Sequence, residues 1–178
     1  MAGWIDRKRD LEALAHAIDP AIRLRRKQDS WLMRTYARLP WVRDGFMDLV
    51  ATHFGPIVWL PDGGDTEKMI HHEGRHVQQM RICGLGIHPW VGLWLYNALM
   101  VFVLPFFFTC RFWFELDAEA HALAYKYSTG SKANFICYEL EEFGATLAGP
   151  DYRYAWLPKS WARKIARRRA VRIVMRGR

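Results

Sequence analysis

Residues 89–110 hold no charged side chain, and this run constrains the fold more than any other feature of the 178-residue chain. As one helix, about 22 residues rising about 1.5 Å each would extend roughly 33 Å, long enough to cross the hydrocarbon core of a bilayer. Three placements follow: a transmembrane span, an excursion into one leaflet, or a hairpin folded back into a core. Asn97 and Pro105 interrupt the run, which favours a broken hairpin. Its aromatic side chains, among them Trp90, Trp94, Phe102 and Phe106, exceed what a small domain needs to fill a core. They keep a membrane surface open as a partner.

The charges around the run are unevenly distributed. Residues 1–43 carry a net +5, residues 44–157 a net −6, and residues 158–178 a net +9. Basic ends suit an anionic phospholipid surface or non-specific nucleic acid, and they also serve as solvated helix faces. No helix-turn-helix, zinc-finger or RNA-binding signature accompanies them, so base reading is not expected. The cysteines Cys83, Cys110 and Cys137 are odd in number and form no CxxC, which argues against a disulfide scaffold or a cysteine zinc finger. The charged N-terminus lacks an apolar signal core. The expected setting is intracellular and cytoplasmic, with possible attachment to a membrane surface.

Local patterns outline an α+β chain that is mostly helical. Residues 4–18 read as a helix stopped at Asp19-Pro20, and residues 21–38 as a second, strongly basic helix ended by Pro40. Residues 46–60 read as two short strands or an irregular hairpin around Gly55-Pro56, with Ile57–Leu60 the better strand. Asp65 is placed to cap a helix running to about Cys83 and stopping at Gly84. Residues 112–127 and 131–146 read as two helices, followed by a break at Gly149-Pro150. Residues 159–175 read as a last, basic helix with an apolar stripe through Ala162, Ile165, Ala166, Ala170, Ile173 and Val174. The expected organisation is a basic helical region over 1–43, a central domain over 44–157 and the basic helix of 158–178, together one folding unit.

The chemistry is concentrated in the Cys83-terminated helix, which contains His72-Glu73-Gly74-Arg75-His76, an HExxH pattern. Positions i and i+4 lie one above the other on a helix, so two imidazoles can bind one ion. Glu73 lies beside that face, within reach of a metal-held water for which it can act as general base. His71 points about 100° away and reads as a surface or supporting residue. Chance alone puts HExxH into about 1% of shuffled sequences of this composition, so a second element is needed. A third ligand is required as well, and Glu115 and Glu119 supply candidates at i and i+4 on the next helix. Asp117 and His121 share the same spacing and stay open as alternatives. Tyr125, Tyr138, Tyr152, Arg153 and His121 are candidates for an oxyanion partner.

On these residues the chain resembles the glutamate-zincins, or gluzincins. HExxHxxQ from His72 to Gln79, followed about 40 residues later by ExxAE from Glu115 to Glu119, is similar to small bacterial and phage zincin-like proteins with HExxHxxQ and ExxA[DE]. The segment Thr52–Pro61 resembles the edge strand that precedes their motif helix. The likeness covers about residues 50–125. It departs from the family at Glu119, where Asp is commoner, and from the longer HExxHxxGxxH form at Gln79 and Ile82. The resemblance implies zincin-like metal-site helices beside a short β-hairpin or edge strand, with Zn2+ held by His72, His76 and Glu115. It further implies that Glu73 is the base and that Glu119 supports a ligand imidazole by hydrogen bonding. The implied activity is peptide-bond hydrolysis of a peptide or protein substrate through a zinc-bound water.

That reading bears on the uncharged run. A straight span would leave His76 and Glu115 on opposite sides of about 30 Å of hydrocarbon, where they could not share an ion held at ~2 Å. A folded-back hairpin is therefore expected. Two other functions compete: a non-catalytic zincin fold with a structural metal, and a basic membrane or nucleic-acid adaptor whose HExxH is fortuitous.

Overall fold

A computed structural model describes residues 2–39, 45–49, 51–63, 66–84, 91–96, 108–149 and 158–176. They fall into two compact units, Met1–Leu93 and Trp94–Arg178. Each is taken in turn.

The first unit begins with helix α1, Ala2–Ile18. Its end follows from Asp19-Pro20: the Asp19 N–H still donates to Ala15 O at 3.0 Å, but its carboxylate accepts the Ala21 N–H at 2.9 Å. This Asx turn redirects the chain. A helix over 21–38 does not follow. Arg23–Arg26 instead form strand β1, Lys27–Asp29 a 3-10 turn and Trp31–Tyr36 the short helix α2, with Ser30 Oγ accepting the Met33 N–H at 3.3 Å. The physical reason lies in the period. Ile22 and Leu24 are buried while Arg23 and Arg25 are exposed, an alternation that suits a strand, and β1 gains a ladder with a segment more than thirty residues later.

Residues 46–60 form the expected hairpin only in part. Phe46–Leu49 is a single helical turn, α3. Strands β2, Thr52–Phe54, and β3, Ile57–Leu60, then pair antiparallel across Gly55-Pro56, with Gly55 at φ +58° as the turn requires. The strand order is β1-β3-β2, with β1 parallel to β3. Ile57–Leu60 is thus the central strand and not an edge, because β1 covers its other side. The register puts Leu24, Val58 and His53 on one face and Arg25, Trp59 and Thr52 on the other.

Helix α4, Thr66–Cys83, ends where Gly84 follows, as the sequence indicates. It packs on α1 and on the two strands β2 and β3. The contact with α1 is close at Gly74, where an added Cβ would stand 3.0 Å from Ile18 Cγ2 and 3.3 Å from Ile22 Cδ1. The capping position Asp65 lies outside the described residues.

Residues 91–96 form a short helix, α5. Most of the uncharged run, including Asn97 and Pro105, lies outside the described residues, and so does the expected hairpin. Among the described residues no helix is long and apolar enough to cross a membrane.

The second unit is built from α6, Phe108–Ser128, α7, Ala133–Leu147, and α8, Lys159–Arg176. Gly130 at φ +108° makes the turn between the first two. Leu116, Leu123, Ile136, Leu140 and Leu147 fill the core, and Ala162, Ala166 and Ala170 close it from α8. The apolar stripe expected on the basic helix is therefore its packing face. Gly144 allows the two helices to approach, since a Cβ there would lie 2.8 Å from Ala166 Cβ. Part of the positive charge of α8 is matched locally: Arg163 pairs with Glu142 at 3.1 Å, Arg167 with Glu141 at 3.5 Å, and Arg169 with Asp117. The chain is α+β and mostly helical.

Candidate metal centre

Helix α4 presents its motif inward. Glu73, His76 and Gln79 are buried, and His72 and His71 are half-buried. The helical spacing brings His72 Nε2 and His76 Nε2 to 3.2 Å, with the rings edge to face. One turn further, Gln79 Oε1 lies 2.8 Å from His76 Nδ1. An amide oxygen only accepts, so His76 carries its proton on Nδ1 and turns the Nε2 lone pair toward His72. His53 of β2 stacks on the His76 ring, with centroids 5.3 Å apart and planes 17° apart. The imidazole is held in the plane by Gln79 and from one face by His53.

Glu73 sits on the neighbouring face of α4 and is only 9% exposed. Among the described residues no hydrogen bond reaches its carboxylate. Its electrostatic neighbour is Lys27, at the turn that follows β1. That lysine is fully buried, and its Nζ donates to Phe46 O and to Thr52 Oγ1, each at 2.9 Å, while lying 3.3 Å from the centroid of the Phe46 ring. Burial lowers its pKa to about 8, with the Glu73 charge pulling the other way. Sequence reasoning missed Lys27, since a lysine within a basic run reads as solvated. It also missed the role of His53. The spacing HExxHxxQ did flag Gln79.

Helix α6 carries the acidic candidates. Glu115 is half-buried, with Arg111 Nε 3.9 Å from its carboxylate, and Glu119 is buried one turn on. Asp117 is engaged by Arg169 of α8, which weighs against it as a metal ligand. His121 is half-buried on the same helix. His72 and His76 belong to the first unit, and Glu115 belongs to the second. Of the oxyanion candidates, Tyr125 is half-buried, Tyr138 is 66% exposed, and Tyr152 and Arg153 lie outside the described residues.

No protein-family model, curated protein or solved structure matches this chain.

Proposed function

We propose that the chain is a zinc-dependent metallopeptidase of the gluzincin type, in which His72, His76 and Glu115 hold the ion and Glu73 is the general base. The observation that carries this reading is the convergence of two imidazole Nε2 atoms at 3.2 Å, one of them with its tautomer fixed by Gln79. Two donors on a tetrahedral zinc at about 2.0–2.1 Å stand roughly 3.3–3.4 Å apart, so the pair has the spacing the ion needs. A carboxylate completes a two-nitrogen, one-oxygen set typical of catalytic zinc.

A zinc ion in that set supplies Lewis acidity, which lowers the pKa of water and polarises a peptide carbonyl. The protein residues do the rest. Glu73, without a hydrogen-bond partner among the described residues, has oxygens able to take a proton and pass it to the leaving amine. Glu119 orients a ligand imidazole by hydrogen bonding. The substrate class is a peptide or protein.

The test is metal content by inductively coupled plasma mass spectrometry, alongside hydrolysis of a broad peptide library. About one zinc per chain is expected in the wild type, with loss in His76→Ala and Glu115→Ala. Glu73→Gln should keep the metal and lose hydrolysis by about 10²-fold or more. Absence of zinc uptake refutes the site. Zinc without hydrolysis refutes the enzyme and leaves a structural ion, whose removal would then destabilise the fold.

A further inference from the structure

Among the described residues strand β1 lies at an edge of the sheet, with one side unpaired. In its parallel ladder the Arg23 N–H donates to Pro56 O at 2.9 Å, so Arg23 and Arg25 direct their main-chain groups at β3. The N–H and C=O groups of Leu24 and Arg26 then face away from the sheet. The Arg26 C=O accepts within the 3-10 turn that follows, while among the described residues the Leu24 N–H and C=O and the Arg26 N–H have no backbone partner. A groove of about 680 Å³ lies beside β1 over the sheet face that carries Arg23, Arg25, Ile57 and Trp59, and Lys8 and Glu12 of α1 and Trp31 also line it. Trp31 is 70% exposed.

The charges in the groove are not balanced. Lys8 pairs with Glu12 at 3.5 Å, and Arg26 is held by Asp62 through two hydrogen bonds, the longer 2.6 Å. Arg23 donates to the carbonyls of Pro20 and Ile22, each at 3.1 Å, and meets no carboxylate. Arg25 is exposed and has no ion pair among the described residues. These two guanidinium groups are two residues apart on a strand, so they leave the same face about 7 Å from each other. That is the repeat of alternate side chains on an opposing extended chain.

We infer that the open side of β1 is a docking site for an extended, acidic polypeptide segment, which adds to the sheet as a fourth strand. Its main chain pairs with the Leu24 N–H and C=O and with the Arg26 N–H, and its alternate carboxylates meet Arg23 and Arg25. The free main-chain groups decide the kind of partner. A nucleic-acid backbone or a lipid headgroup could satisfy the arginines but would leave the strand's N–H and C=O groups without a matching ladder. None of these residues is a metal-ligand candidate, so the inference stands or falls apart from the proposed activity.

The experiment is fluorescence anisotropy with the full chain and a labelled, blocked octapeptide of alternating Glu and Val. Binding is expected, with a loss of about tenfold or more in Arg25→Glu, equal to about 1.4 kcal/mol. A Lys-for-Glu peptide should not bind. Peptides carrying N-methyl groups at alternate backbone nitrogens, in both registers, separate the ladder from charge alone: at least one register should fail to bind. Arg25→Glu alters an exposed side chain, and its circular dichroism and melting curve confirm that it folds. No binding of the Glu peptide, equal binding of both N-methylated peptides, or tighter Arg25-dependent binding of single-stranded DNA or anionic vesicles would each overturn the inference.

Discussion

Replacing Lys27 with methionine isolates the least expected element of the unit that carries the motif helix. The ordinary value of 10.5 for its ammonium falls to about 8 in the folded chain, chiefly through burial. At about 1.4 kcal/mol per pH unit, the gap amounts to about 3 kcal/mol as an upper limit. The sign follows from proton linkage. Between about pH 8 and 10.5 the unfolded chain binds the proton and the folded chain does not, so stability rises with pH through that window. Below about pH 8 both forms are charged, and the full cost of burying the ammonium is present. Lys27→Met removes that cost but leaves Phe46 O and Thr52 Oγ1 without their donor, at about 1–3 kcal/mol each. Near pH 7 the two effects oppose one another, and the variant should be neutral or somewhat destabilised. The decisive quantity is the slope. Urea unfolding followed by circular dichroism, in chelator, should show the wild type gaining up to about 3 kcal/mol on the variant between pH 8 and 10.5. Parallel curves, or a wild type that loses ground, would refute the buried ammonium.

Other outcomes test separate parts of the fold and its surroundings. Gly144→Ala, with its Cβ 2.8 Å from that of Ala166, should destabilise by about 1–2 kcal/mol in chemical denaturation, since overpacking outweighs the helix-propensity gain of about 1 kcal/mol. Asp19→Ala removes a buried carboxylate that holds both the Ala21 N–H and Arg81 at 2.6 Å, and should cost about 1–3 kcal/mol in the same assay. The Arg26 hydrogen bond holds the Asp62 carboxyl below its usual value. That contribution is present above the usual carboxylate pKa and fades as pH falls, so the wild type should lose its melting-temperature advantage over Asp62→Asn as pH is lowered through about 4. Co-sedimentation with anionic liposomes at low salt should recover the protein if its exposed aromatics and basic ends meet a membrane surface, and no binding would end that reading.

What the sequence made legible was local. Helix α4 is bounded by a glycine stop, its pair of histidines is set by the i,i+4 geometry, and Gln79 lies one turn beyond His76. Each follows from chain spacing alone. Strand β1 was not legible because its stability comes from pairing with β3 far along the chain, and its arginines weigh toward a solvated helix. The same holds for Lys27. Its partners Phe46 and Thr52 are nineteen and twenty-five residues away, and nothing in a basic tetrad distinguishes the one lysine that turns inward. His53 belongs with these, since its stacking on His76 exists only once the hairpin packs against α4.

The residues between the motif's chemical positions show why its geometry is held so closely. Gly74 carries no side chain because α1 lies against it, with Ile18 occupying the space a Cβ would need. Arg75 Nη1 donates to Gln78 Oε1 at 2.9 Å, and Gln78 Nε2 donates to Ile18 O at 2.8 Å, so an orphan carbonyl at the end of α1 is satisfied from α4. The helix is thereby fixed in rotation as well as position. Fixing the rotation turns Glu73, His76 and Gln79 inward together and lets His53 clamp the imidazole. The His72–His76 pair thus sits on a helix that α1 holds through Ile18, with His53 of β2 packed on the His76 ring.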